Sequence, residues 1–215
     1  MKNIILCSFF VLSFGCASRP AVYEVPWFCA LVESEIDEII VKVKAHPADH
    51  SAKMARAVLS KDDARACWGP AAIFLGARLE QKAFVLIDKR LIQLTSQTTT
   101  DRALTEVDPL LVGMALTARR SEGAAERAAG RLGEMAVPKW WTIQDSTDYE
   151  TPQAGLEAAR VRAHSALYAL PYTQSAKAVA VLQRLREDAE IRHQLGKDSK
   201  AILSALIRET RESSQ

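Results

Sequence analysis

Three observations along the chain predict an all-α fold. Between Leu156 and Leu170 the residues Leu156, Ala159, Ala163, Ala166, Leu167 and Leu170 recur at helical spacing, and after a turn at Pro171-Tyr172-Thr173 the pattern resumes with Ala178, Val181, Leu182 and Leu185. The same spacing governs Phe28, Leu31, Val32, Ile36, Ile39, Ile40 and Val43 near the start, and Ala83, Phe84, Ile87, Leu91 and Leu94 in the middle. Finally, the segments between these stripes open on residues that start helices, with Pro26, Pro70, Asp101 and Pro109 each standing at or just before a periodic run. The expectation is about 8 to 10 helices arranged as successive hairpins.

The stretch from Gly155 to Glu209 is the most regular. Its small-residue-rich first helix, its leucine-bearing second helix from Ser175, and the restart at Asp188-Ala189-Glu190-Ile191-Arg192 resemble the HEAT repeat, a two-helix unit that stacks into α-solenoids. The match is clear over these 55 residues and approximate upstream. The resemblance implies an α-solenoid of stacked hairpins over residues 27–212, presenting a surface to another macromolecule. HEAT-like units also occur in chromophore lyases, so an enzyme or enzyme subunit is the alternative that the same resemblance implies.

Composition bounds the partner class. A chain of 215 residues with 48% hydrophobic residues is long enough to bury one core. The formal net charge is only +2, with both signs interspersed and no basic block of the kind that neutralises phosphates, so nucleic acid is not an expected partner.

The first fifteen residues read as an export signal. Lys2 supplies a short positive region, and Ile4 to Phe14 form an apolar stretch of eleven residues, too short to span a bilayer. Ser13-Phe14-Gly15-Cys16 then resembles a bacterial lipobox. It has the required small residue before the cysteine, but it departs from the family pattern at Ser13 and Phe14, where leucine and a small residue are usual. The resemblance implies cleavage after residue 15, diacylglycerol on the Cys16 thiol and acylation of the new amine. Several acyl chains give a lasting anchor. Ala17 follows the cysteine, and the sorting rule of the family makes this favour the outer membrane, facing the periplasm. The rival readings are a secreted protein without lipid and an uncleaved anchor.

Residues 16–26, with Pro20 and Pro26 and few core candidates, form an extended tether. With Cys7 in the signal and Cys16 lipidated, Cys29 and Cys67 remain in an oxidising compartment, where a disulfide between them is the arithmetic result. Two free buried thiols are the alternative. A first helix is expected from Trp27 to Ala45, with Glu33, Glu35, Asp37 and Glu38 toward its start and Lys42 and Lys44 toward its end, as the helix dipole favours. His46-Pro47-Ala48-Asp49-His50 is a turn. Its two histidines lack the spacing of a helical zinc motif and Pro47 interrupts them, so no metal is expected there.

A short helix from Ser51 to Leu59 follows, with Asp62 or Asp63 capping the next segment. Gly69-Pro70 divides Asp63 to Leu79 into two pieces. Glu80 to Leu94 is helical and ends at Ser96-Gln97-Thr98-Thr99-Thr100. Arg102 to Val107 and Pro109 to Arg119 read as two helical stretches separated by an Asp108 cap, and Ser121 to Met135 as a helix rich in alanine and glycine. The final segment, Asp188 to about Arg211, is amphipathic, with Gly196 as a bend rather than a break.

Residues 137–153 contain no such pattern. Helical bundles are usually joined by about 2 to 8 residues, so a longer connection points to function or disorder, and the adjacent Trp140 and Trp141 argue against disorder. One ring is expected to clasp the connection against the junction of the helices at 121–135 and 155–170. The other either joins that clamp on the helical face or, with Lys139 and Tyr149, offers an edge to a partner.

No nucleophile elbow, glycine-rich phosphate loop or dinucleotide fingerprint is present, and Gly130-Arg131-Leu132-Gly133 lies within a helix. His164 and His193 read as capping or solvated residues. Arg160, Arg162, Arg184, Arg186 and Arg192 read either as solvent-facing charge or as a basic patch. No catalytic residue and no cofactor is assigned. The functional expectation is a lipid-anchored scaffold binding an envelope protein, with a passive structural lipoprotein as a further alternative.

Overall fold

The structure is a computed structural model that describes residues 26–31, 35–45, 49–95, 101–144, 149 and 151–213. The signal, Cys16 and the tether up to residue 25 lie outside the described residues, as do 46–48 of the histidine turn and 96–100. Among the described residues the chain is all-α, with eleven α-helices, three 3-10 helices and no strand. None of these helices is long and apolar enough to cross a membrane.

The expected first helix is two pieces. Trp27–Leu31 forms a 3-10 turn that buries Phe28 and Leu31, and α1 begins only at Ile36–Ala45, where Ile39 and Val43 are buried. The first piece is held in place independently of α1. Cys29 pairs with Cys67 at disulfide distance (Cα–Cα 5.0 Å), and Trp27 and Phe28 pack against Phe74 with ring centroids 5.9 and 5.1 Å away. Asp37 and Glu38 in the first turn of α1 and Lys42 and Lys44 in its last have the signs the helix dipole favours.

Helix α2 spans Asp49–Ser60, and a 3-10 turn at Asp62–Cys67 leads into α3, Trp68–Ala77. The expected division of this region occurs, just ahead of Gly69, so that Pro70 stands in the first turn of α3, where its missing N–H costs no hydrogen bond. Capping is different from expectation. Lys61 occupies the cap position without a side-chain bond, and Asp62 instead pairs with Arg90.

Helix α3 carries no charged residue and is buried on every side except at its last residue, Ala77, which makes it the central element. It is surrounded by α1, α2, α4 (Ala83–Thr95) and α5 (Asp101–Thr117). Its crossing with α5 is made by residues without bulk. A Cβ on Gly76 would stand 2.7 Å from the Gly113 carbonyl oxygen, and one on Gly113 would stand 2.6 Å from the Ala72 carbonyl carbon. The expected break at Asp108-Pro109 is absent, because α5 runs through Pro109. The proline ring is placed over Gly69 of α3, where a Cβ would come within 2.6 Å of it, so the close crossing compensates for a poor helix former.

From α5 the packing moves along the chain to α6 (Glu122–Met135), α7 (Pro138–Gln144) and α8 (Pro152–Ala169). Thr151 caps α8 by accepting from the Ala154 N–H at 3.2 Å, with Pro152 at the first helical position. A 3-10 turn at Leu170–Thr173 precedes α9, Ala176–Glu187, whose cap Ser175 accepts from the Lys177 N–H. Asp188 caps α10, Ala189–Leu195, accepting from the N–H groups of Glu190 and Ile191. The terminal segment does break at Gly196, whose φ of 103° belongs to glycine, before α11, Ser199–Ser213. Helix α6 packs on α9 and α9 on α11. The Tyr172 hydroxyl reaches Asp37 of α1 at 3.3 Å, tying the first helix to the second half of the chain.

Candidate functional site

The region expected to be an irregular connection contains α7, and this short helix sorts the aromatic and basic residues by side. Trp141 is 0% exposed and its indole N–H donates to the Met135 carbonyl at 2.5 Å, while the Arg162 guanidinium of α8 lies 5.8 Å from its ring centroid. Trp141 is therefore the clasp between α6 and α8. Trp140 meets it edge to face at 4.7 Å and is half-buried. It faces α6, where Arg131 lies 5.1 Å from its ring centroid. Arg131 in turn donates to Asp88 of α4 at 2.9 Å and to Glu134 at 2.8 Å. Burial pulls the Arg131 pKa down, but the two carboxylates outweigh it and the net shift is upward, so the cation under Trp140 is firmly held.

Lys139 points elsewhere. It lines an open groove of about 450 Å³ between α7, the first half of α8 and α10, together with Thr142, Gln153, Leu156, Arg160 and His193. Tyr149 lies in neither place, with its Cδ2 3.0 Å from where a Cβ on Gly155 would be. Of the three residues expected to share an edge, Trp140 thus faces α6, Lys139 lines the groove and Tyr149 lies against Gly155. A seven-residue helix places consecutive side chains about 100° apart, which is why adjacent residues face different neighbours.

The groove is held open by α8. Arg160 donates from Nε to the Gln194 carbonyl at 3.0 Å and from a terminal nitrogen to Glu157 at 2.7 Å, and His164 Nε2 lies 2.9 Å from the Leu195 carbonyl. Both carbonyls belong to the last turn of α10, where no intrahelical donor is available, so His164 serves as a capping residue across the interface. Leu156, expected in the apolar stripe, is instead 52% exposed on the groove wall. The buried face of α8 is formed by Ala159, Arg162, Ala163, Ala166 and Leu167.

Two buried arginines were not distinguished from solvent charge by sequence. Arg162 is 1% exposed next to Trp141, which removes it from any basic patch with Arg184, Arg186 and Arg192. Arg90, also 1% exposed, lies 4.2 Å from the Trp68 ring centroid and donates to the Leu59 carbonyl at 2.5 Å, to Gln93 and to Asp62. Arg90 and the neighbouring Gln93 hold the Asp62 carboxyl below its usual range. The nearest signal was a tryptophan in the same chain, since guanidinium groups stack on indole faces, but nothing in sequence says which arginine reaches it.

Among the described residues no group of three or more His, Cys, Asp or Glu side chains is placed to hold a metal ion. No protein-family profile, curated protein or solved structure matches the chain.

Proposed function

We propose that this chain is a lipid-anchored envelope protein whose helical-repeat body binds a partner protein at the membrane surface. The observation that carries the reading is the cysteine at position 16, preceded by a small residue and an apolar stretch of signal length and followed by a proline-containing tether that ends at Pro26, next to the folded body. Packing that runs from α3 to α5 to α8, and from α6 to α9 to α11, supports a stacked, HEAT-like arrangement of hairpins. The groove beside α7 supports a binding role, because it is concave, exposed and built on three elements, two of which, α8 and α10, are tied by side-chain capping.

The anchor is tested by Cys16→Ser with metabolic labelling by a radioactive fatty acid. Label on the wild type, none on the variant, and release of the variant from the membrane fraction are expected. Equal labelling of both would refute the anchor. Crosslinking in the intact envelope tests the binding role: a saturable crosslink from position 142 is expected, and none from any groove position would refute it.

A further inference from the structure

The groove beside α7 continues into a second depression. This one, about 680 Å³, is formed by α10, the Gly196 turn and the start of α11, and it meets the first at His193. Its walls carry Arg192, Lys197 and Lys200, while the first depression carries Lys139 and Arg160. Five permanent cations and a histidine thus line one continuous surface, and among the described residues no carboxylate lines either depression. The chain as a whole is nearly balanced at +2, so this is a local segregation of charge. Of the carboxylates nearby, Glu157 pairs with Arg160 and neutralises it, Glu190 accepts from Gln194 and Asp198 stands exposed next to Lys197, so Lys139, Arg192, Lys197 and Lys200 carry the positive excess. Lys139, Lys197 and Lys200 extend from exposed positions.

From this arrangement we infer that the joined depressions are a docking site for an acidic polypeptide segment carrying an apolar residue. The cations supply the charge complement, which steers encounter and sets register. Leu156, exposed between Arg160 and Gln153, supplies the apolar contact, and Thr142 and Gln153 supply side-chain hydrogen-bonding groups alongside it. Concavity of the first depression favours a chain over a bilayer there, because a flat lipid surface does not enter a groove walled by three helices. The inference rests on the protein-binding reading above and names its partner class.

The test uses the full chain and fluorescence anisotropy with a labelled synthetic peptide of glutamate and serine bearing one central leucine. The triple variant Lys139→Glu, Lys197→Glu, Lys200→Glu is expected to weaken binding by about tenfold or more, whereas Lys53→Glu, Lys89→Glu, Arg120→Glu, with the same change in net charge, is expected to weaken it by about twofold or less. Leu156→Ser is expected to lower affinity for this peptide by about fivefold and to leave a leucine-free peptide unaffected. Because each substituted side chain but Leu156 is a solvated cation, far-ultraviolet circular dichroism is expected to be unchanged. The glutamine series at 139, 197 and 200 supplies a milder second variant, with a loss of about threefold expected.

Equal weakening by the two charge-reversed triples would overturn the inference, as would equal binding of a peptide with lysine in place of glutamate. Capture of phosphatidylglycerol vesicles without capture of the peptide would assign the surface to lipid and overturn it too. The segment 145–150 carries Asp145, Asp148 and Glu150 in sequence. Neutralising all three is expected to leave peptide affinity unchanged, and a rise of about tenfold would make the chain itself the occupant. A saturable envelope crosslink at position 142 with no binding of the acidic peptide would overturn the partner class and leave the protein-binding reading standing, so the two fail separately.

Discussion

Replacing Gly113 by alanine adds a single methyl group at the centre of the molecule, and the structure sets the size of its effect. The new Cβ would stand 2.6 Å from the Ala72 carbonyl carbon, 2.7 Å from the Ala72 Cβ and 2.8 Å from the Ala72 oxygen. Carbon atoms in contact prefer about 3.5 to 4.0 Å, so the two helices must separate by about 1 Å. Two of the three opposing atoms are backbone, and α3 is enclosed by α1, α2 and α4, so no flexible side chain can yield. Overpacking of this kind costs about 1 to 3 kcal/mol, against a gain of about 0.5 to 1 kcal/mol from replacing a helical glycine. A net loss of about 1 kcal/mol is expected. Gly130→Ala is the internal control, because its Cβ would meet only the end of Lys177, at 3.6 and 3.7 Å. There the propensity gain is unopposed, and stabilisation by about 0.5 to 1 kcal/mol is expected. Urea unfolding followed by tryptophan fluorescence measures both. A Gly113→Ala protein as stable as the wild type would refute the tight crossing of α3 and α5, and a destabilised Gly130→Ala protein would refute the open space beside Lys177.

Trp141→Ala is expected to cost about 3 to 5 kcal/mol by emptying a fully buried site, and Trp141→Phe about 1 to 2 kcal/mol by leaving the Met135 carbonyl without its donor; urea midpoints distinguish them. Removing the Cys29–Cys67 bridge, with a sequence separation of 38, is expected to cost about 4 kcal/mol on loop entropy, and equal stability of the oxidised and reduced chains would contradict it. Because Asp62 has its carboxyl pKa lowered by Arg90 in the folded state, its contribution is present above the unfolded value near 3.8 and is lost as pH falls through the lower folded value. Asp62→Asn should therefore flatten the acid limb of stability against pH, measured by thermal melts. Tyr172 behaves oppositely. Burial first, then Asp37 and Glu209, raise its pKa, so its contribution is present below about 10 and is lost as pH rises through the higher folded value, and Tyr172→Phe should flatten the alkaline limb.

What sequence alone determined is local. The helical class follows from apolar periodicity within single segments, and Asp188 and the proline at the start of α3 stand at helix starts because a cap or first-turn residue needs only its own next few neighbours. The pairing of Cys29 with Cys67 followed from setting Cys7 and Cys16, two of the four cysteines, aside as the expected signal and lipid site. The candidate site was legible only as a place, residues 137–153, and not as an arrangement. Whether Pro109 breaks α5 depends on Gly69, forty residues earlier in the chain, being small enough to receive its ring. Whether an arginine is solvent charge or core depends on a distant indole and carbonyl, as Arg90 with Trp68 and Leu59 shows. Leu156 satisfies the helical period of α8 yet faces out, because α10, docked through Arg160 and His164, leaves a groove where that stripe would otherwise be covered. Periodicity describes the faces of one helix, whereas the groove is a property of three, and only their packing decides which face is left for a partner.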